Sequence, residues 1–317
     1  MRGFNNTNWL FLVLTKLGDG FAFREILMIT MSRRDAVFTI GAASVGAFLP
    51  QQIGASPAQR VIKNGRLKQS VSWWPYQRHF KLPEFCKAIS DMGLTAIDLL
   101  EEKDWDTARR NGLVCSMGYP SEGAKIPDGL NNKANHDVIV RGLEKTIPAA
   151  EKMGVPNLIA FFGNRRGMSD AEAIENCVIG LNRIKKVAED HGVTVCVELL
   201  NSKVDHKDYQ GDRTSFGLQV IKSVGSPRVK LLDDIYHMQI MEGDIIRTIR
   251  ENHEHIAHYH TGGVPGRHEL DASQELNWAT VCKAIADTGF KGYVAHEFVP
   301  TRDPLTSLRE AIALCDV

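Results

Sequence analysis

Four apolar runs in this chain each lead to a side chain that can bind a metal ion. Glu198, Asp234, His260 and Glu297 lie at the ends of the runs VTVCVEL, VKLLDD, IAHYH and GYVAHE. A buried carboxylate costs free energy unless a counter-charge pairs it, and the three carboxylates share that requirement. The sequence therefore predicts that these four residues meet at one divalent cation.

The donor set also indicates which metal ions suit such a site. Oxygen donors with a single imidazole fit Mg²⁺, Mn²⁺ or Co²⁺ better than a metal that prefers thiolate ligands. Two of the carboxylates have competing structural interpretations. Glu198 could pair with a buried Arg or Lys, and Asp234 could cap the following helix. Asp233 is the direct neighbour of Asp234, so the choice between these two ligands stays open.

The histidine of the set has competitors within the same run. His258 lies two residues before His260 on the same face of a strand, and His255 precedes both. Position relative to the three carboxylates favours His260. His296 precedes Glu297, and strand alternation predicts that its side chain points away from the site.

Polar residues in the loops after these runs are candidates for substrate contacts. Asn201 follows the run VTVCVEL, His237 follows the run VKLLDD, and Arg267 lies in the segment VPGRHE. The guanidinium of Arg267 offers a fork that suits a carboxylate, although a surface ion pair with Glu269 is an alternative. His237 could equally cap the helix that follows. Four aromatic residues could line the pocket or belong to the core: Trp73, Trp74, Phe161 and Phe162.

The elements that must position these residues alternate along residues 59–317, which we take as one domain. Apolar segments typical of strands cover residues 69–73, 96–99, 114–117, 157–162, 194–198, 229–233, 256–260 and 293–297. Helical spacing of apolar residues covers 83–89, 138–153, 171–188 and 278–286, each followed by a glycine. Eight strands alternating with helices predict an α/β fold, the (β/α)₈ TIM barrel, whose strand ends share one mouth.

Composition narrows the class of protein. The 317 residues include 38 basic and 38 acidic side chains, which gives a formal charge of zero. A nucleic-acid surface needs a net basic face, so a small-molecule ligand is favoured. The six cysteines lack CxxC spacing, and several lie in apolar runs and are expected to be small core residues. Assembly into a homo-oligomer stays open.

Residues 1–58 have the composition of a targeting segment. Adjacent arginines after Ser32 precede a stretch of small and apolar residues, and the pattern resembles a twin-arginine (Tat) signal. The apolar stretch is too short for a permanent membrane span. Export, for instance to the periplasm, with removal of the segment is therefore expected. The alternative is a start at Met28 or Met31 and a cytoplasmic protein.

Three motifs resemble the hydroxypyruvate isomerase family: ELLN at 198–201, DIYHMQ at 234–239 and VPGRHE at 264–269. That family belongs to the xylose-isomerase-like TIM barrels, in which sugar 3-epimerases are relatives. The resemblance covers roughly residues 61–317. It implies that Glu198 and Glu297 transfer the proton, and that Asp234 and His260 are metal ligands. It also implies substrate contacts for His237 and Arg267.

The resemblance implies an aldose–ketose isomerase that converts hydroxypyruvate to tartronate semialdehyde through an enediolate. One glutamate would remove the proton next to the carbonyl, and the other would act at the neighbouring carbon. The alternatives are ketose 3-epimerisation and a non-catalytic exported barrel that binds a sugar or a metal. A DNA-repair endonuclease is disfavoured, because it needs a basic groove and a His-rich cluster of several metals.

The targeting segment gives a testable prediction. If the precursor is exported, mass spectrometry of the secreted protein should find an N-terminus near Gln59. An intact N-terminus in a cytosolic fraction would contradict export. The control is a precursor with both arginines after Ser32 changed to lysine, which should stay unprocessed.

Overall fold

A computed structural model describes residues 60–317 of the chain. The predicted targeting segment, residues 1–58, lies outside the described residues, so export and cleavage stay predictions. Within residues 60–317, no helix has both the length and the apolar character that crossing a membrane requires.

Eight parallel strands form the wall of the barrel at the positions that the apolar runs predict. They are β1 Lys68–Val71, β2 Ala96–Ile97, β3 Val114–Cys115, β4 Asn157–Phe161, β5 Thr194–Leu199, β6 Val229–Asp234, β7 Ile256–Thr261 and β8 Tyr293–His296. Six strands pair in the order β1-β8-β7-β6-β5-β4, and β2 pairs with β3. Single bridges from Ser72 to Asp98 and from Gly118 to Leu158 join the two groups. The sheet therefore closes, and the predicted TIM barrel is confirmed.

The second strand is shorter than predicted. β2 spans only two residues, and Leu99 has a φ of 55°, a left-handed conformation that interrupts an extended strand. Asp98 still forms a parallel β-bridge with Ser72, which directly follows β1. As a result, the end of β2 keeps its place in the wall and carries a fully buried carboxylate.

Nine α-helices alternate with the strands in the described part of the chain. They are α1 Leu82–Met92, α2 Glu102–Arg110, α3 His136–Met153, α4 Asp170–His191, α5 Thr214–Val224, α6 Ile235–Met241, α7 Ile245–Asn252, α8 Trp278–Asp287 and α9 Pro304–Cys315. Gly93, Gly154 and Gly192 end α1, α3 and α4 in left-handed conformations. Glycine adopts that conformation without a Cβ clash, which is why these positions mark helix ends in the sequence.

The apolar faces of the strands and helices pack into one core. All six cysteines are buried and free, which confirms the interpretation of them as core residues. The barrel can therefore hold polar side chains at its carboxyl-terminal mouth on a rigid frame.

Glu269 connects the loop after β7 to the start of α9. Its carboxylate is 4% exposed and accepts hydrogen bonds from the backbone and hydroxyl of Thr301, the backbone of Arg302 and the hydroxyl of Ser307, over 2.8–3.1 Å. Burial alone would raise its pKa, but these hydrogen bonds lower the pKa of Glu269 to about 2. None of the ion pairs within residues 60–317 joins Glu269 to Arg267, so that alternative is wrong.

We expect Glu269→Gln to lower the free energy of unfolding by about 1–3 kcal/mol near neutral pH, because the amide accepts fewer hydrogen bonds. A carboxylate whose folded-state pKa is depressed stabilises the fold above its ordinary pKa, and this contribution is lost as the pH falls. Urea unfolding should therefore give a difference between wild type and variant that shrinks from about pH 5 towards pH 2. A difference that stays constant with pH would contradict this account. Glu251→Gln, at an exposed position on α7, is the matched control and should change little.

Candidate metal centre

Four side chains from neighbouring strands converge at the carboxyl-terminal mouth of the barrel. Glu198 lies in β5, Asp234 ends β6, His260 lies in β7 and Glu297 directly follows β8. Asp234 and His260 are partners in the register of β6 and β7. One donor atom from each of the four residues lies within 4.8 Å of the others. The structure thus brings together the four residues that the apolar runs single out.

The imidazole of His260 indicates that this cluster requires a cation. Its Nδ1 atom lies 2.5 Å from Glu297 Oε2, 3.4 Å from Glu198 Oε1 and 3.8 Å from Asp234 Oδ2. Nevertheless, within residues 60–317 this buried nitrogen makes no hydrogen bond of acceptable geometry. When the ring is neutral, a lone pair on Nδ1 that faces three carboxylates is repelled unless a positive ion lies between them. Three carboxylates and one imidazole fit a divalent cation, so the residues present suit the metal.

The pKa shifts of the cluster residues also indicate that this site favours positive charge. Burial, together with the charges of Glu297 and Asp234, raises the pKa of Glu198 to about 7. Burial also favours protonation of Asp234 and Glu297, but the guanidinium of Arg267 and the imidazole of His260 together outweigh it and lower both pKa values. Burial alone would lower the pKa of His260, yet the nearby carboxylates raise it well above its usual range. The cluster therefore favours a proton or a metal ion among its oxygens.

Arg267 closes one side of the cluster. Its Nη2 donates to Asp234 Oδ2 over 2.9 Å and to Glu297 Oε2 over 2.7 Å, and its Nε donates to the Glu297 carbonyl over 3.2 Å. The guanidinium carbon lies 5.4 Å from the centre of the Trp74 ring and 5.2 Å from that of Tyr236. The two rings restrict the guanidinium, so Arg267 holds a fixed position beside two of the proposed ligands.

His237 presents a buried N–H group to the cluster. Its Nδ1 accepts from the backbone N–H of Asn201 over 3.2 Å and lies 2.6 Å from the Asn201 side-chain nitrogen. Burial, with the charges of Arg267 and His206, lowers the pKa of His237 well below its usual range. The neutral ring must then carry its proton on Nε2. That atom lies 3.6 Å from Asp234 Oδ2 and has no hydrogen-bond partner within the described residues.

The structure decides between the alternatives for the ligands. Asp234 has two roles, because its Oδ1 accepts from the backbone N–H of residue 237 and caps α6 while its Oδ2 faces the cluster. Alternation places Asp233 on the opposite face of β6, where burial raises its pKa to about 7. His258 Nε2 lies 3.2 Å from Asp98 Oδ1, and His255 precedes β7 at its amino end.

The remaining histidine of the mouth points away, as alternation predicts. His296 Nε2 lies 2.8 Å from Gln69 Oε1, and its Nδ1 lies 3.1 Å from Thr261 Oγ1. These contacts lie on the outer face of the strands, between the sheet and α9, where Gln69 also donates to the carbonyl of Ile312. His296 is therefore part of the barrel wall.

A cavity of about 440 Å³ opens beside Arg267. Trp74 lines it and donates from its Nε1 to Glu297 Oε1 over 2.5 Å, whereas Phe161 and Phe162 belong to the core. Asp205, in the loop after β5, is another lining residue. The other side chains on the wall include His206, Tyr236, Ile240, Val264 and Val299. The cavity thus lies among the loops where substrates of such barrels bind, and two of its lining residues, Arg267 and Trp74, contact Glu297 of the cluster.

Sequence reasoning missed three residues that contribute to this site. Asp205 Oδ2 accepts from Asn201 Nδ2 over 2.7 Å and from the Tyr236 hydroxyl over 2.8 Å. Asp98 contacts His260 Nε2 over 2.9 Å. Asp98 carries the same signal as the four ligands, a carboxylate at the end of the short apolar run TAID. Asp205 and Tyr236 carry no pattern of their own, because loop contacts depend on the folded chain.

Residues 86–316 match the family model described as Xylose isomerase-like TIM barrel. The chain is 26% identical over 257 residues to a human protein named as a hydroxypyruvate isomerase, covering 77% of this chain and 92% of that protein. It is 28% identical over 239 residues to the 2-oxo-tetronate isomerase of Cupriavidus necator, covering 71% and 89%.

A sugar epimerase and a solved structure are also similar to this chain. Identity to the D-psicose 3-epimerase of Agrobacterium fabrum is 23% over 253 residues, covering 73% of this chain and 84% of the epimerase. The crystal structure of an AP endonuclease of family 2 from Brucella melitensis superposes with a TM-score of 0.69 at 20% identity, covering 76% of this chain and 97% of that one. At that identity the structural likeness supports the fold alone.

The cluster predicts that a divalent ion stabilises the folded protein. At a Mn²⁺ concentration about 100 times the dissociation constant, the free energy of unfolding should rise by about 2.7 kcal/mol. Asp234→Asn should remove most of this gain, since it deletes a negative charge at the cluster. Chemical unfolding with added Mn²⁺ and with a chelator measures both effects. Asp233→Asn, which changes the neighbouring buried carboxylate, should keep the gain, and equal gains in both variants would contradict the assignment.

Proposed function

We propose a function for this chain from one premise: it belongs to the xylose isomerase-like TIM barrel family. Its relatives are named as isomerases and epimerases, so this chain is an isomerase-type enzyme. The finer proposal is a metal-dependent aldose–ketose isomerase that works through an enediolate. Hydroxypyruvate, converted to tartronate semialdehyde, is the first substrate to assay.

The observation that carries the proposal is the pair of buried glutamates that face one cation position from β5 and β8. Glu198 and Glu297 both approach His260 Nδ1, but they come from strands on either side of β6 and β7. An isomerase must remove a proton from one carbon and deliver a proton to its neighbour. Two carboxylates on separate walls can reach two adjacent carbons of one bound substrate.

Glu198, Asp234, His260 and Glu297 would hold Mg²⁺, Mn²⁺ or Co²⁺. When bound, such an ion supplies Lewis-acid polarisation of a substrate carbonyl. A carboxylate that binds the metal through one oxygen keeps its other oxygen for proton transfer. The protein's own donors would orient the substrate. His237 offers its unpartnered Nε2–H, and Asn201 holds that ring in place from the loop after β5.

Arg267 would help to bind the substrate and would keep the carboxyl groups of Asp234 and Glu297 ionised. Its Nη2 already pairs with Asp234 and Glu297, which favours the carboxylate form of both. The stacking rings of Trp74 and Tyr236 also form part of the cavity wall. A polar site with aromatic walls suits a small molecule that carries hydroxyl and carbonyl groups.

Ketose 3-epimerisation is the second candidate, and the cavity is large enough for its substrates. Its volume of about 440 Å³ exceeds the need of a three-carbon acid and accommodates a five- or six-carbon ketose. The same pair of glutamates would then act on opposite faces of one carbon. The relative named D-psicose 3-epimerase supports this reaction class.

We expect Glu198→Gln and Glu297→Gln each to lower turnover by roughly 10²–10⁴-fold while the protein stays folded, because each removes one acid–base group. Steady-state rates with added Mn²⁺ on hydroxypyruvate, pentuloses and hexuloses measure the effect. The matched control is Glu251→Gln, on the exposed side of α7, which should keep wild-type turnover. Full activity in both site variants would refute the assignment.

Proton exchange separates an enzyme from a barrel that only binds sugar or metal. In D₂O with Mn²⁺, wild type should exchange the proton next to the substrate carbonyl for deuterium, which NMR detects. The two glutamine variants should slow that exchange. A protein that binds the substrate without any exchange would be the non-catalytic alternative.

A further inference from the structure

A group of fully buried polar side chains lies inside the barrel, next to the metal centre. It consists of Asp98 at the end of β2, His258 and His260 in β7, and Ser72 and Ser116 next to β1 and β3. The interiors of such barrels are filled mostly by branched apolar side chains. A carboxylate in that environment is costly unless several donors satisfy it. The position of Asp98 therefore needs an explanation.

Both oxygens of Asp98 are engaged by this group. Its Oδ2 lies 2.9 Å from His260 Nε2 and accepts from Ser72 Oγ over 3.4 Å. Its Oδ1 accepts from Ser116 Oγ over 2.6 Å and lies 3.2 Å from His258 Nε2. Asp98 thus holds the side of the His260 ring that faces away from the metal centre.

That contact decides which nitrogen of His260 can bind a metal. A carboxylate oxygen only accepts, so the 2.9 Å contact requires the proton on His260 Nε2. In the neutral ring that metal binding requires, the other nitrogen, Nδ1, then carries a lone pair directed at the three carboxylates of the cluster. Metal-binding histidines characteristically donate their second N–H to a carboxylate, which fixes the ring and raises its basicity.

We propose that Asp98 is a positioning residue that sets the affinity of the metal centre by fixing the tautomer and orientation of His260. This inference rests on the metal-dependent function proposed above. Asp98 touches no proposed substrate position and acts only through the imidazole. It therefore governs how tightly the ion is held and leaves the proton transfers to Glu198 and Glu297.

A second metal ion is the competing explanation. Asp98, His258 and His260 also bring donor atoms within 4.8 Å of one another. In the described part of the chain, both ring nitrogens of His258 lack hydrogen-bond partners of acceptable geometry. However, His260 would have to bind one ion through each nitrogen, which requires loss of both ring protons. Asp98 would also have to give up hydrogen bonds that it already accepts. We therefore expect one ion per chain.

The first test is Asp98→Asn, which keeps the size of the side chain and removes its charge. Titration calorimetry should give a Mn²⁺ dissociation constant about 10–100-fold higher than that of wild type. Turnover at saturating Mn²⁺ should return close to the wild-type value, because both glutamates remain. Asp233→Asn, which alters another buried carboxylate, is the matched control and should keep the wild-type dissociation constant. An unchanged dissociation constant in Asp98→Asn would overturn the proposal.

A double-mutant cycle tests whether Asp98 acts through His260. In a His260→Gln background, Asp98→Asn should change the dissociation constant by less than about twofold. An equal loss in both backgrounds would show that Asp98 acts as a general charge, which contradicts the proposal.

Two further measurements use the wild-type protein, so they do not depend on whether a variant folds. The ¹⁵N chemical shifts of His260 in the Mg²⁺-loaded protein should report a proton on Nε2, and a proton on Nδ1 would overturn the inference. Metal analysis should find one ion per chain, whereas two would support the competing site. If wild type binds no divalent ion, the metal centre itself fails. If wild type binds one and Asp98→Asn binds equally well, only the role of Asp98 fails.

Discussion

The burial of three carboxylates around one imidazole is the constraint on which the rest of this structure depends. Glu198, Asp234 and Glu297 are 5% exposed or less, and His260 is fully buried. In water these groups would be screened, but at the mouth of the barrel their mutual repulsion is strong. The arrangement is stable only with positive charge at its centre, which is the reason to expect a divalent cation.

The protein supplies part of that positive charge itself. Arg267 pairs with Asp234 and Glu297, and the rings of Trp74 and Tyr236 hold its guanidinium in place. Among the described residues, Glu198 has no arginine or lysine partner, and burial raises its pKa. The two proposed acid–base residues therefore differ in environment although they share one centre. Such a difference suits a reaction in which one carboxyl group takes a proton and the other provides one.

The loops around the mouth are fixed by hydrogen bonds that do not involve the cluster. Glu269 anchors the segment that carries Arg267 to the start of α9. Asn201 links the loop after β5 to the ring of His237. A site whose side chains must hold an ion and a small substrate needs such support, because small displacements cost much of the rate. The rigid barrel wall and these few loop contacts together provide it.

Much of the fold was predictable, because each strand is an apolar run that must be buried and each helix has one apolar face. The four cluster residues were predictable for a related reason: a carboxylate or imidazole at the end of a buried strand needs a partner. Asp98 is also a carboxylate at the end of an apolar run, although a shorter one. Its partner His260 lies 162 residues away along the chain, so the sequence does not reveal the pairing. From the sequence alone, Arg267 could pair either with Glu269 at the surface or with groups in the site.

The sequence by itself predicted the barrel and the four residues that meet at its mouth, since local periodicity and donor type can be read from short segments. Only the tertiary structure decided that Asp234 and not Asp233 faces the centre. It also decided that His260 presents its Nδ1, and that Asp98 holds the other side of that ring. These facts depend on strand register and on contacts between distant strands. A single residue of register exchanges the buried and outward faces, and no local pattern specifies which distant side chain completes a hydrogen bond.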